Sequence, residues 1–223
     1  MIESITPIPA GRWRGRLAVD IAAAVLLAAL SRGCAVVGWG LDSVAGGEKE
    51  VEVEAEYRGL EGTNVAVIVH AGSATLYRRA DAPILVARAV SARIADTVPT
   101  ARLLEPGRVA EFQAQNPHWV PYGELMAKLG VDRLVVIDVA DYTTHDPENT
   151  HAWRGVLSAN VRVAERESSD TDVPVYGNSV QVRYPDHPVP LLVSDEGTIE
   201  LGLLDRFSSR VAGLFHDHRA PPQ

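Results

Sequence analysis

Apolar and polar positions change period several times along the chain, and each change predicts an element. Residues 64–70, NVAVIVH, are a short apolar run rich in β-branched side chains, the pattern of a buried strand. Gly72 and Ser73 break it. Over 81–98, Ile84, Leu85, Ala87, Val90, Ile94, Ala95 and Val98 recur at helical spacing, with Asp81 placed to cap and Pro83 in the first turn. Ala101 to Leu104 predicts a short strand, and Pro106 to Gln115 a second helix opened by proline. Tyr122 to Leu129 predicts a third helix ended by Gly130. The strongest strand is Asp132 to Ala140, DRLVVIDVA. Trp153 to Glu165 and Val173 to Tyr184 alternate in part and flank the charged turn ERESSDTD, which predicts an antiparallel hairpin. Thr198 to His216 predicts a final helix whose buried face is Leu201, Leu204, Phe207, Val211, Leu214 and Phe215.

The order βαβααβββα predicts an α/β (mixed α+β) domain. Early strand–helix alternation implies a parallel pair with a right-handed crossover, and the hairpin adds antiparallel strands. The expected architecture is a mixed parallel and antiparallel sheet covered by helices. No internal repeat interrupts this reading.

The first 33 residues follow a different pattern. Arg12, Arg14 and Arg16 surround Trp13, the apolar run IAAAVLLAAL spans 21–30, and Ser31, Arg32 and Gly33 lead to Cys34. A basic flank, a short apolar stretch and a small-residue exit are the parts of a secretory signal peptide. Ten residues rise only about 15 Å, half the thickness of a bilayer's hydrocarbon. The segment resembles a bacterial lipoprotein signal, with Gly33 as the small residue before an acylated cysteine. Ser31 stands where that pattern has leucine, Leu30 lies one place early, and Arg32 and Asp20 depart from it. Cys34, the sole cysteine, is the predicted lipid-attachment site. Domains then follow as a signal peptide 1–33, a lipid-anchored tether 34–59, an α/β domain 60–217 and a disordered tail 218–223. Within the tether, EKEVEVEAEY alternates acid with Val or Ala, so it reads either as an acidic edge strand or, preferred slightly, as a solvated spacer.

Composition narrows the function classes. The 223 residues carry 21 basic and 29 acidic side chains, a net charge of −8. Cleavage before Cys34 leaves 17 basic and 27 acidic residues, or −10. So acidic a chain lacks the electrostatic footprint of a nucleic-acid binder. One cysteine excludes an internal disulfide framework and a multi-cysteine zinc site. The chain has no GxxxxGK[ST] loop, GxGxxG fingerprint, GxSxG elbow or HExxH helix.

Two clusters invite chemistry. His145, Asp146, Glu148 and His151 follow the strongest strand, where with Asp138 and Asp141 they offer imidazoles and carboxylates near a strand end. Asp-Pro-Glu-Asn is also ordinary turn chemistry. His216, Asp217 and His218 end the last helix, where histidine also complements the helix dipole. A third feature, NPHWVPY over 116–122, is a rigid aromatic connection, and Trp119 and Tyr122 are its candidate interaction surface. In the hairpin, Arg154, Asn160 and Arg162 share one parity and make one face polar.

The stretches NVAVIV, LVARAVSARIADTV and ELMAKLGVDRLVVIDVADY resemble a family of bacterial envelope lipoprotein domains. That family includes the curli-secretion lipoprotein, the lipoprotein activators of penicillin-binding proteins and the N-terminal domain of the Tol translocation β-propeller protein. In it a helix feeds a Val-rich strand through a Leu-Gly-Ala-Asp-like turn, where this chain has KLGVDRLVVIDV. The resemblance spans roughly residues 60–215. It implies a periplasm-facing, membrane-anchored module that is not an enzyme and that binds other envelope proteins or assembles with itself. No catalytic residue, metal site or cofactor carries over. The expected partners are the membrane, through lipidated Cys34, and envelope proteins or further copies of the chain, with no nucleic acid. The alternative is a secreted hydrolase or metal-dependent enzyme, in which His145, Asp146 and His151 would converge on one pocket of the Asp141–His151 loop.

Overall fold

The computed structural model describes residues 51–116, 118, 120–149 and 151–220. The signal-like segment, Cys34, most of the tether and Trp119 lie outside the described residues. Contacts divide the chain into a unit Glu52–Ala220 and a unit Met1–Val51 with Pro221–Gln223, and almost all that follows concerns the first.

Its elements are β1 (Val51–Val53), β2 (Asn64–Ala71), α1 (Ser73–Arg78), α2 (Ala82–Thr97), β3 (Arg102–Leu103), α3 (Pro106–Gln115), α4 (Tyr122–Leu129), β4 (Arg133–His145), β5 (Ala152–Glu165), β6 (Tyr176–Pro190), α5 (Glu196–Ala212) and β7 (His218–Ala220). The five-stranded sheet has the order β3-β2-β4-β5-β6. β2 pairs in parallel with β3 and β4, and β5 and β6 join antiparallel. The expected mixed sheet covered by helices is therefore the fold.

The period-two direction of side chains divides two cores. Val65, Val67 and Val69 of β2 face one side with Val135, Ile137, Leu157 and Val161, and α2 and α5 cover them through Val86, Val90, Leu203 and Phe207. Ala66 and Ile68 face the other side with Leu134 and Val136, under Val109 of α3 and Tyr122 and Met126 of α4. Burial on both faces is why β2 and the first half of β4 read as continuous apolar runs. Gly130 ends α4 at φ 69°, a left-handed conformation that glycine takes without steric cost.

The structure corrects the sequence reading at five places. Ser73 does not simply break the chain after β2; it starts α1, a helix of six residues. Asp81 sits at the N-cap position of α2 without a side-chain capping bond, and its carboxylate lies 3.6 Å from Nε of Arg79. β4 runs on to His145, still paired with β5, across register shifts between Val139 and Asp141 and between Thr143 and His145. Leu201 is 71% exposed, and Ile199 and Leu203 take its place in the buried face of α5. The expected tail begins as strand, since β7 pairs with β1 in a two-stranded ribbon. Asp217 fastens that corner by accepting the N–H of Ala55 at 2.8 Å and a hydrogen bond from Arg58 at 2.5 Å. These donors, the Ala55 amide foremost, hold its carboxyl below the usual range.

Candidate interaction surface

α3 and α4 cover only part of their face of the sheet. Across β2, β4 and β5 that face runs through Ala66, Leu134 and Ala164 and then through Ile68, Val136 and Arg162. The next row is His70, Asp138, Asn160 and Ser179, one residue from each of four adjacent strands. The surface turns from apolar to polar within two rows.

The polar row is hydrogen-bonded in two pairs. Nδ1 of His70 lies 3.3 Å from Oδ1 of Asp138. Arg162 donates to Oδ2 of the same carboxylate. Ser179 Oγ donates to Oδ1 of Asn160 at 2.7 Å. Asn160 and Ser179 are exposed, and His70, Asp138 and Arg162 are partly so. Nε of Arg162 is buried without a partner among the described residues. Such a strip offers donors, acceptors and both signs of charge on a rigid sheet.

Beside the row, a cavity of about 270 Å³ opens against Ile68, His70, Phe112, Asn116, His118 and Tyr122. Its walls come from β2, α3, α4 and the 116–122 connection. Tyr122, a candidate surface residue, is 3% exposed and belongs to the second core. Burial, first of all, raises its phenol pKa. The candidate surface thus loses Tyr122 and gains His118, which is exposed.

β6 ends the sheet, with no strand beyond it among the described residues. Its odd residues turn their backbone groups outward. The amide of Ser179 donates to Oδ1 of Asn178 at 2.7 Å rather than to β5. The carbonyl of Arg183 accepts from Arg206 of α5 at 2.8 Å. Gly177, Ser179, Gln181 and Arg183 are all exposed, whereas Val180 and Val182 are buried in the first core.

The residues proposed for catalysis are dispersed into structural work. Asp141 lies within β4, 3.2 Å from Arg78. The ring of His145 lies 4.4 Å from that of Trp153. Asp146 is 3% exposed and accepts the amides of Glu148 at 2.7 Å and Asn149 at 3.2 Å, closing a turn. His151 is exposed. Nδ1 of His216 lies 2.8 Å from the carbonyl of Ala212. No group of three or more His, Cys, Asp or Glu could hold a metal among the described residues.

A second polar cluster lies further along β4, at the edge of the first core. Tyr142, 1% exposed, donates to Glu200 at 2.8 Å, and Arg79 bonds both Glu200 and Glu196. The Arg79 guanidinium stands 5.8 Å from the Tyr142 ring centroid. It joins α1, β4 and α5.

Asn160, Arg162, Gln181 and Arg183 are visible in the sequence as polar positions of a hairpin. His70 is not, because it ends an apolar run and only the β2–β4 register sets it beside Asp138. An ionisable residue closing a buried parallel strand is the one signal that could have marked it.

No family model and no curated protein sequence matches the chain. The backbone is similar to that of the PelC dodecamer from Paraburkholderia phytofirmans, at 7% identity and TM-score 0.44, over 74% of this chain and 96% of that one. It is similar to lipoprotein GNA1162 from Neisseria meningitidis, at 15% identity and TM-score 0.40, over 67% and 98% respectively. A third similar structure is protein XCC0632 from Xanthomonas campestris, at 10% identity and TM-score 0.44, over 70% and 85%.

Proposed function

We propose that this chain is a lipid-anchored, non-catalytic module of the bacterial cell envelope that faces the periplasm and binds envelope proteins or copies of itself. Anchoring is supported by the sequence, where the sole cysteine, Cys34, follows the only signal-like segment. With a net charge of −10 after cleavage, the domain would be repelled by anionic head groups, so attachment falls to the acyl chains.

The observation that carries the binding half is the open polar row from His70 to Ser179. Surfaces of this kind, a rigid scaffold with mixed charge beside an apolar hollow, suit non-obligate protein contacts, whose interfaces are about as polar as the rest of a protein surface.

Two measurements on the full chain in a diderm bacterium test the reading. Mass spectrometry of the membrane fraction is expected to find an acylated N-terminal Cys34, with Cys34→Ala unlipidated and released from the membrane. An unmodified Cys34 in membrane-bound protein would overturn the anchor. A photo-crosslinking residue at Asn160 is expected to give discrete adducts in the envelope that the same residue at Arg88, exposed on α2, does not. Equal yields at both positions would overturn the surface.

A further inference from the structure

We propose that the groove between α2 and α3 binds an extended apolar peptide segment of another envelope protein, which adds as a strand to the open edge of β2. The proposal deepens the envelope-module reading by naming the chemistry of the partner, and it rests on that reading only for where the partner resides.

β2 has a partner on its outer side for two residues only. β3 pairs with Asn64 and Val65, and the chain leaves the sheet after the amide of Leu104 donates to the carbonyl of Val65 at 2.8 Å. On the other side, the carbonyl of Asn64 accepts from Asp132, just before β4, at 2.8 Å. These two bonds fix the odd residues of β2 as those whose backbone groups point away from β4. The amide and carbonyl of Val67, those of Val69 and the amide of Ala71 therefore face the lane that β3 leaves, with no strand beside them among the described residues. No described side chain caps them either. Val67 and Val69 are 1% and 3% exposed. Their outward groups are poorly hydrated, and backbone groups buried without a partner are costly.

The same lane holds space with apolar walls. A cavity of about 350 Å³ lies along it, between Ile84 and Ala87 of α2 and Val109 and Ala110 of α3, against Val67 and Val69. The polar side chains in its lining are His70 and Gln113. α2 covers one face of the sheet and α3 the other. A strand in this lane therefore sends alternate side chains under each helix, where small and β-branched residues suit the walls. A lipid acyl chain would match the walls but satisfy none of the donors and acceptors along β2. An extended backbone does both: its hydrogen bonds supply affinity, and the two walls select side chains. The chain's net charge of −8 favours basic residues flanking the apolar segment.

Titration of the full chain with the end-blocked peptide KTVAVTK tests the proposal. Expected is saturable one-to-one binding. Hydrogen exchange should slow at the amides of Val67, Val69 and Ala71 and stay unchanged at Ile68 and His70, which already face β4. N-methylating the two Val residues of the peptide, or instead its Thr and Ala residues, removes amides that point to opposite sides of the strand. One methylated peptide is expected to bind about tenfold more weakly and the other as well as the parent. Ala110→Trp fills the groove from a half-buried position on α3 and is expected to abolish binding with unchanged thermal unfolding. Gln115→Trp, exposed on the same helix, keeps it. No saturable binding by the wild-type chain would overturn the proposal. So would equal affinities of the two methylated peptides, which would mean apolar filling without strand addition. Failure of the envelope reading is separately visible, as a free Cys34 thiol in the wild-type chain and equal crosslinking at Asn160 and Arg88.

Discussion

The phenol of Tyr142 donates a 2.8 Å hydrogen bond to the carboxylate of Glu200, joining the bulged half of β4 to α5. The phenol is buried, and burial, reinforced by the Glu200 bond and charge, pushes its pKa well above the ordinary 10.0. The folded state therefore favours the neutral phenol. That stability is complete below pH about 10 and is lost as pH rises toward the folded-state value. Tyr142→Phe is expected to lose about 1 kcal/mol at neutral pH, one net hydrogen bond, because Arg79 still pairs with Glu200. It should also flatten the fall in stability above pH about 10. Urea titrations of wild type and variant from pH 7 to 11 check both. A variant declining as steeply as the wild type would reject the assignment.

α5 presents its apolar residues unequally. Phe207 is 0% exposed and touches the first core, whereas Leu201, six residues earlier, projects into solvent. Phe207→Ala is expected to cost about 3–5 kcal/mol, the usual penalty for emptying a buried aromatic site. Leu201→Ala should stay within about 0.5 kcal/mol of wild type. Denaturant midpoints with an unchanged slope decide it, and a Leu201 effect as large as that of Phe207 would mean that α5 packs in a different rotation.

Much of this architecture can be read from periodicity because the burial is strongly patterned. The strand over 64–71 is apolar and buried from Val65 to Val69 since helices cover both faces there, and α3 and α4 begin at the proline-marked boundaries the sequence shows. What escapes is governed by partners distant in sequence. Leu201 looks like a stripe residue, but the sheet lies under Ile199 and Leu203. Asp141 to His145 look like loop because their polar side chains have no local reason to be strand; β5 supplies it through Ser158, Leu157 and Val156. The polar row is legible only in fragments, since four strands contribute one residue each. Tyr122 was read as surface from its aromatic neighbours, although the first turn of an amphipathic helix turns it inward.

Gly202 gives a steric prediction. A Cβ there would meet Cε1 and Cζ of the Tyr184 ring at 2.2 and 2.4 Å. That ring packs against the first core, with the Arg206 guanidinium 5.3 Å from its centroid, so it has little freedom to retreat. Replacing a helical glycine by alanine ordinarily gains about 1 kcal/mol, but overpacking costs about 1–3 kcal/mol. Gly202→Ala is therefore expected to be destabilising, and Gly202→Ala with Tyr184→Ala should recover part of the helix gain relative to Tyr184→Ala alone. Thermal unfolding of the four proteins in this cycle measures the coupling. Purely additive effects would mean that the two sites do not touch.

The turn at Asp146 separates a structural carboxylate from a reactive one. Its side chain is almost fully buried and accepts the amides of Glu148 and Asn149, while its own amide donates to the carbonyl of Ala152 at 3.0 Å. Arg154 is 3.9 Å away, close enough for charge but too far for a direct hydrogen bond. Removing the acceptor strands the amide of Glu148 at the tip of the β4–β5 hairpin and leaves that of Asn149 only its bond to the carbonyl of Asp146 at 3.3 Å. Asp146→Ala is accordingly expected to cost about 1–3 kcal/mol. Asp146→Asn keeps an acceptor oxygen in place and should recover most of that loss, because the turn needs a lone pair there more than a negative charge. His151→Ala should change little, since the imidazole is exposed and only the backbone amide of His151 is used, donating to Asn149. Hydrogen exchange at Glu148 gives a direct readout, with protection lost in Asp146→Ala and kept in Asp146→Asn. If Asp146→Asn were as damaging as Asp146→Ala, the charge itself would matter, and the pairing with Arg154 would replace the turn as the reason for burying this carboxylate.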